Sequence, residues 1–366
     1  MTDRECCIAC NCISGIGYNT FKALLDVFGK PGNIPGHAPS EYLAAKGVGK
    51  KTAELLSNTD FELACAREIN RSEIMDVKII TICDADYPSL LRETPNPPIA
   101  LYVAGRLPEN FSGALGIVGS RRISKYAQEQ TRNIAMAAAQ NGMVIVSGMA
   151  AGADGCAHRA ALDAGGITVG IIGAGLENIY PAEHLDMAKE IIASGGALIS
   201  ELPMQFPVTP TGFPRRNRII AGLSRGILVT EASVDSGSMI TADFAVKYNR
   251  MLFAIPGRVD NPNTSGCHKL IKEGAFLVDD FRDIAEKFGM VTAPQSAVPK
   301  EETPALELTD AEKCICDHIR QGTDSFDMLV ISTNMPVHEL TYILMSLEMR
   351  GVITREDSQT YRLIIQ

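Results

Sequence analysis

The chain is predicted to fold as an α/β protein with a parallel sheet covered by helices on both faces and a small domain at either end. Two observations carry this. Through the middle of the sequence, short apolar runs alternate with helical patterns, as strand–helix–strand units require. On either side the composition changes. Glycine-punctuated helical patterns precede the alternation, and a stretch rich in Pro, Ala and Glu, Thr292–Thr309, follows it. The expected division is a helical domain over 1–77, the α/β domain over 78–290, a linker over 291–305 and a last domain over 306–366.

In the first segment, Ser14–Gly15–Ile16–Gly17 precedes YNTFKALLDVFG, and Gly47–Val48–Gly49 precedes KKTAELLS. Each is a G-x-G turn opening a helical pattern. The form resembles a helix-hairpin-helix motif, whose helix N-terminus can hold a phosphate. Lys50 and Lys51 strengthen the second copy; a pair of packing hairpins is the other reading. Cys6, Cys7, Cys10 and Cys12 fall in one short helical stretch rather than on two separated elements. They therefore read as small packing residues and not as metal ligands, as do Cys314 and Cys316.

In the central segment, strands are expected at Ala114–Val118, Met143–Ser147, Ile167–Ile172, Ala197–Ser200, Ile227–Thr230 and Leu252–Ile255. Helical patterns lie at Tyr126–Asn141, Gly155–Ala164, His184–Ser194 and Met239–Tyr248. Ligands of such sheets bind outside the carboxyl ends of the strands. There the sequence places Gly119, Ser120, Arg121 and Arg122, then Ser147, Gly148 and Gly152, then Gly173 and Gly175 with Tyr180 closing the loop. Small residues at three strand ends suit close approach to a phosphate. The dinucleotide fingerprint G-x-G-x-x-G and the P-loop pattern are both absent, which argues against NAD chemistry and P-loop ATP hydrolysis.

Charge points to a polymeric anion. The chain of 366 residues has 34 Lys+Arg against 43 Asp+Glu, a net −9 that excludes a globally basic nucleic-acid coat. The first segment carries −2, the second −1 and the region 291–366 carries −6. Yet the 29 residues Leu202–Thr230 contain no acid and include Arg215, Arg216, Arg218 and Arg225. Asn110–Gln128 is also acid-free and holds Arg121, Arg122 and Lys125. Arg suits phosphate through its planar donor fork; the other reading pairs some of these arginines with Glu201, Glu231 or Asp235. Phe213 and Tyr180 are placed to stack bases, and Asn217 lies within the Arg cluster. With no Trp and 6% aromatics, backbone grip should dominate over base stacking, favouring single-stranded DNA without sequence preference.

These residues carry a family resemblance. GIVGSRR at 116–122, SGMAAGADGCAHRAAL at 147–162 and GAGLENIYPAEH at 173–184 are similar to strings of the DprA/Smf family of bacterial DNA-processing proteins. So are ISELP at 199–203, FPRRNRIIAGLS at 213–224, EASVDSGSMITADFAV at 231–246, FAIPGR at 253–258 and SGCHKLIKEGA at 265–275. The resemblance implies an extended Rossmann-like fold and a non-enzymatic single-stranded DNA binder. It further implies a homodimer that protects incoming DNA and loads the recombinase RecA during natural transformation. It puts Arg121, Arg216 and Arg218 in the DNA groove, and it implies no cofactor and no metal. His184 and His268 stand where the family often has Asn, and Ala182 where some members have a cation.

Asp154, His158, Glu201 and Glu231 suggest acid/base chemistry at first sight. No nucleophile elbow or H-E-x-x-H set accompanies them, so structural or ligand-orienting roles are expected. Asp154 is expected to cap the following helix, and an Asp154–His158 bridge is plausible. The enzyme alternative is a nucleotide phosphoribohydrolase of the LOG, or lysine-decarboxylase-like, group. Its P-G-G-x-G-T loop is missing from the corresponding stretch, Ala232–Ser238.

The last segment shows a helix at Ala311–Arg320, a Pro336-led helix through Arg350, then Gly351–Ile353 and Thr360–Leu363 as a small wing. That is a winged-helix outline. Its second helix has two acids, one Arg and no Lys, which suits a partner or capping role better than DNA reading. Met1–Cys12 has three charges in its first five residues and no cleavage pattern, and no apolar run approaches the ~20 residues of a membrane span. A cytoplasmic protein without membrane contact is expected.

Overall fold

The computed structural model describes residues 1–290, 308–355 and 360–363; the expected linker lies outside them. Two compact units emerge, Met1–Thr292 and Ala293–Gln366.

The first unit is built on nine strands: β1 (Val77–Thr81), β2 (Ala100–Gly105), β3 (Leu115–Val118), β4 (Ile145–Gly148), β5 (Thr168–Ile171), β6 (Ala197–Ser200), β7 (Gly226–Val229), β8 (Met251–Ala254) and β9 (Phe276–Leu277). They form one sheet in the order β1-β2-β6-β5-β4-β3-β7-β8-β9. From β6 to β9 every pairing is parallel, with Leu115 of β3 opposite both Ile145 of β4 and Gly226 of β7. The two strands added at one edge are antiparallel, β2 on β6 and β1 on β2. They make the sheet an extended Rossmann-like one. All six strands expected from apolar runs are present; β1, β2 and β9 are additional.

Helices cover both faces because the inner strands are buried on both. On one face, Lys125–Gln140 and Ala153–Asp163 meet through Ala135, Ala138, Ala139, Ala157, Ala160 and Ala161, whose small side chains permit close approach. On the other face, Gly212–Leu223 and Gly237–Lys247 pack Ile219, Ile220, Leu223, Ala242 and Ala245 over β3 and β7. Burying each of these Ile and Leu side chains contributes about 1.5–3 kcal/mol.

The N-terminal helices share a core with the sheet. Cys6, Cys7, Ile8 and Cys10 of Asp3–Cys12 belong to the same apolar cluster as Tyr102 and Leu198. Asn11 Nδ2 donates to the Glu201 carbonyl at 2.9 Å, and the Met204 amide donates to Glu68 Oε2 at 3.1 Å. Both G-x-G turns fold alike: Gly15 and Gly47 have φ near +87° and +85°, and Gly17 and Gly49 cap the helices Tyr18–Phe28 and Lys50–Asn58. Positive φ is the reason for glycine at the first position of each turn.

The second unit is a winged helix. Asp310–Arg320, Phe326–Thr333 and Val337–Met349 enclose Ile315, Leu329, Leu340, Leu344 and Leu347. β10 (Ile353–Arg355) and β11 (Tyr361–Leu363) form the antiparallel wing. Buried Glu312 ties it together, closing a capping box with Thr309 and accepting from Arg350 at 2.7 Å. Among the described residues no helix is long and apolar enough to cross a membrane.

Candidate functional site

After β3 the chain steps to β4, β5 and β6 in one direction, then returns to place β7 on the other side of β3. The ends of β3 and β7 are therefore the topological switch point, where crossovers diverge and leave a crevice. A cleft of about 820 Å³ opens there. Gly119, Ser120, Arg121 and Arg122 line it from the end of β3, Phe213, Arg216 and Asn217 from the overlying helix, and Ser233, Ser236, Gly237 and Ser238 from the segment after β7. A second hollow of about 500 Å³ adjoins it. The two share Arg121 and Arg122, and the second adds Gly152, Arg132, Arg159 and His184.

The cations divide by what they touch. Arg132 lies 3.2 Å from Asp163 and Arg159 2.8 Å from Glu190, so both are engaged. Arg121 and Arg122 are exposed, and among the described residues neither forms an ion pair. The Arg121 guanidinium sits 5.1 Å from the Phe213 ring centre, and the Tyr180 ring lies 5.8 Å from Phe213 on its other contact. Three residues from three separate strand connections thus form one aromatic–cationic row. Asn217 Nδ2 donates to the Gly237 carbonyl at 3.2 Å across the cleft.

Of the two arginines that the resemblance puts in the DNA groove, Arg216 lines the cleft and Arg218 lies away from it. Their helix packs against the sheet, and both arginines are buried. Arg216 lies in the cleft floor, with Nη2 3.6 Å from Asp154 Oδ2 and Nη1 donating to the Ile171 carbonyl at 3.1 Å. Among the described residues its Nε has no hydrogen-bond partner. Arg218 points to a different hollow beside Gly15–Tyr18, where it binds Glu201 and the Asn96 carbonyl. Arg215 joins the same carboxylate at 2.6 Å. The pairing with Glu201 noted from sequence as the other reading is what Arg215 and Arg218 adopt, because a buried carboxylate demands counter-charge.

The strand-end glycines also serve the protein's own packing. A Cβ on Gly148 would lie 1.3 Å from Arg216 Nη1, so Gly148 makes room for that guanidinium. Gly152 has φ +83° with the Ser120 carbonyl 2.3 Å from a would-be Cβ, and Gly175 meets the Met204 carbonyl at 2.2 Å. Gly173 faces the Gly212 and Phe213 backbone, and Gly119 faces Thr230 and Ala153. The close approaches foreseen for a phosphate are made here by neighbouring chain segments. Ser147 Oγ donates to the Ile117 carbonyl at 2.6 Å.

The four polar residues are braces. Glu231 Oε2 accepts from the Ser124 amide at 2.9 Å, fixing the start of Lys125–Gln140. The expected Asp154–His158 bridge does not form. His158 instead bonds Thr168 Oγ1 at 2.7 Å and the Gly148 carbonyl at 2.8 Å. Burial pushes its imidazole down to about 4. Nor is Asp154 the helix cap, which is Gly152; it stands in the first turn, accepts from the Ala150 amide at 3.4 Å, and faces Arg216. Burial raises its carboxyl above the usual range, outweighing the opposing pull of Arg216. His184 bonds the Met149 carbonyl at 3.0 Å and His268 the Gly257 carbonyl at 3.0 Å. Among the described residues no three His, Cys, Asp or Glu side chains are grouped to hold a metal.

A cation-rimmed switch-point cleft without dinucleotide or P-loop glycines, on an extended Rossmann-like sheet, in a chain that also carries a winged helix, defines the DNA-processing class of α/β proteins. Sequence comparison agrees. The family model described as DNA recombination-mediator protein A matches residues 78–289, and that of the DprA winged helix domain matches residues 299–358. Protein Smf of Escherichia coli is 39% identical over 274 residues, covering 73% of this chain and 72% of its own. The X-ray structure of DNA processing protein A from Streptococcus pneumoniae superposes with a TM-score of 0.68 at 31% identity, over 79% of this chain and 98% of that one. DNA processing protein A from Helicobacter pylori, described for its single-stranded DNA binding mode, gives 0.52 at 28% identity, over 58% and 95%. The chain belongs to the DprA/Smf family of DNA-processing proteins.

Proposed function

We propose that this chain is a non-catalytic recombination mediator that grips single-stranded DNA along the switch-point cleft and delivers it, as a homodimer, to a RecA-type recombinase. The observation that carries the DNA site is the row Arg121–Phe213–Tyr180, with Arg122 beside it. Two exposed cations that form no ion pair among the described residues can neutralise phosphates, and a ring held by a guanidinium offers a stacking surface for a base of any sequence. Gly119, Ser120 and Asn217 line the same cleft. Gly148, Gly152, Gly173, Gly175, Ser147 and the Arg216–Asp154 pair hold its walls. Family membership supports the recombinase and dimer parts of the reading.

The test is a binding series on single-stranded and duplex DNA at several salt concentrations. Each phosphate contact removed should flatten the log K against log salt slope by about 0.7. Arg121→Ala and Arg122→Ala should each do so, whereas Arg218→Lys, away from the cleft, should not. Unchanged affinity and slope in both cleft variants would refute the site. Recombinase delivery is read separately, as faster filament assembly on DNA coated with single-strand-binding protein.

A further inference from the structure

Helix Asp3–Cys12 turns Arg4 and Cys7, three residues apart on one face, toward the turn that follows β1. Arg4 Nη2 donates to the Ile79 carbonyl at 2.8 Å, and its Nε lies 3.3 Å from Asp84 Oδ2. The same carboxylate oxygen accepts from the Thr81 amide at 2.8 Å, so the turn is fixed against the helix. That arrangement sets Cys83 Sγ 3.6 Å from Cys7 Sγ, across 76 residues of sequence. The two residues differ in exposure: Cys83 is exposed, while Cys7 is fully buried. The hydrogen bond to Cys7 holds the Cys83 thiol below its ordinary value, and Cys7 is raised by that bond and by burial. The other close pair, Cys6 and Cys10 at 3.9 Å, is buried on both sides.

We propose that Cys83 and Cys7 are a peroxide-responsive dithiol, Cys83 being oxidised first and Cys7 resolving it to a disulfide that ties the N-terminal helix to the sheet edge. A cysteine on an exposed turn with a second thiol in contact, its own thiol held below the ordinary value, is the arrangement such chemistry needs. In the first step the Cys83 thiolate attacks a peroxide oxygen. An S–O bond forms, the O–O bond breaks, and the departing hydroxide leaves as water with one proton from solvent. In the second step Cys7 sulfur attacks Cys83 sulfur. The S–S bond forms, the S–O bond breaks, and the hydroxyl leaves as a second water carrying the Cys7 proton. Two thiols give up two electrons to one peroxide. The sulfurs close from 3.6 Å to about 2.05 Å.

The reduced full-length chain, treated with a few equivalents of hydrogen peroxide, alkylated and digested without reductant, tests this by mass spectrometry. A Cys7–Cys83 cross-linked peptide should appear before oxidation of any other cysteine and vanish with dithiothreitol. The oxidised protein should melt about 5 °C higher, reversibly, as a closed loop of this length implies. Cys83→Ser should abolish the cross-link and leave Cys7 reduced. Cys7→Ser should leave a sulfenic acid at Cys83 that dimedone traps. If that variant fails to fold, dimedone added to the wild-type reaction should label Cys83 and lower the cross-link yield. First oxidation at Cys156 or Cys314, or further oxidation of Cys83 while Cys7 stays a free thiol, would overturn the proposal.

Discussion

Arg216 Nη2 and Asp154 Oδ2 face each other at 3.6 Å beneath the switch-point cleft, with both side chains more than nine-tenths buried. One charge comes from the helix over the sheet and the other from the helix after β4, so the pair joins the two layers across the strand ends. Removing one partner leaves the other charge buried alone. Asp154→Asn is therefore expected to lower the unfolding free energy by about 3 kcal/mol, read from urea titration. A loss under about 1 kcal/mol would show that water already screens the pair. For the same reason Arg216→Ala reports on stability and is a poor probe of phosphate contact.

Gly148 is the space that this arginine occupies. Its added Cβ would sit 1.3 Å from Arg216 Nη1 and 2.1 Å from Cζ. Gly148→Ala should destabilise by about 1–3 kcal/mol through overpacking, and more where Arg216 loses Asp154. A wild-type urea midpoint would mean that the guanidinium has a second resting place.

The sequence made the inner sheet legible and the cleft's anchoring much less so. β3 to β7 are short apolar runs buried on both faces and β8 is a similar run half-buried at its start, and their shortness between longer helical patterns marks them as strands. β1 escaped notice because Lys78 interrupts VKIIT with an exposed position, and β9 because it is two exposed residues long. The RNR segment offered arginines in an acid-free run, and that signal is equally consistent with DNA contact and with burial. What decides between them is a carboxylate 62 residues away at Asp154 and another at Glu201, and pairing over such separations is set by topology alone. Arg121, Phe213 and Tyr180 were each legible singly; their meeting in one row required the strand order.

His158 gives the stability curve an acid limb. Its imidazole, ordinarily near 6.5, is held at about 4 by burial. Between those values the unfolded chain binds a proton that the folded chain refuses. The contribution is whole above pH 6.5 and is lost as pH falls toward 4, about 3 kcal/mol in all. His158→Gln should be less stable at pH 7 yet lose less between pH 7 and 4.5, by roughly 2 kcal/mol in urea unfolding free energy. Parallel curves for the two proteins would assign the acid limb to other groups.

Phe213 and Arg121 touch each other, and removing them should produce different signatures. Phe213→Ala takes away a stacking surface worth about 1–3 kcal/mol per base and no charge. Affinity for single-stranded DNA should drop tenfold or more with an unchanged salt slope. A flattened slope would mean that the ring's main task is to hold the Arg121 guanidinium in place.

The winged helix should be dispensable for DNA grip. Region 291–366 carries −6, and Val337–Met349 has Glu339 and Glu348 with no Lys or Arg. That helix instead exposes Tyr342, Met345 and Met349, spaced along one face, a surface suited to protein contact rather than to phosphates. Met1–Thr292 is a compact unit by itself, so a chain ending there should remain folded. It should bind single-stranded DNA as well as the full chain, or slightly better at low salt, because a weakly repelling field has been removed. Any gain should fade as salt rises, since screening shortens the reach of that field to ~8 Å at physiological ionic strength. A tenfold loss, about 1.4 kcal/mol, would show instead that the winged helix forms part of the DNA site and that its apolar face is not its whole purpose.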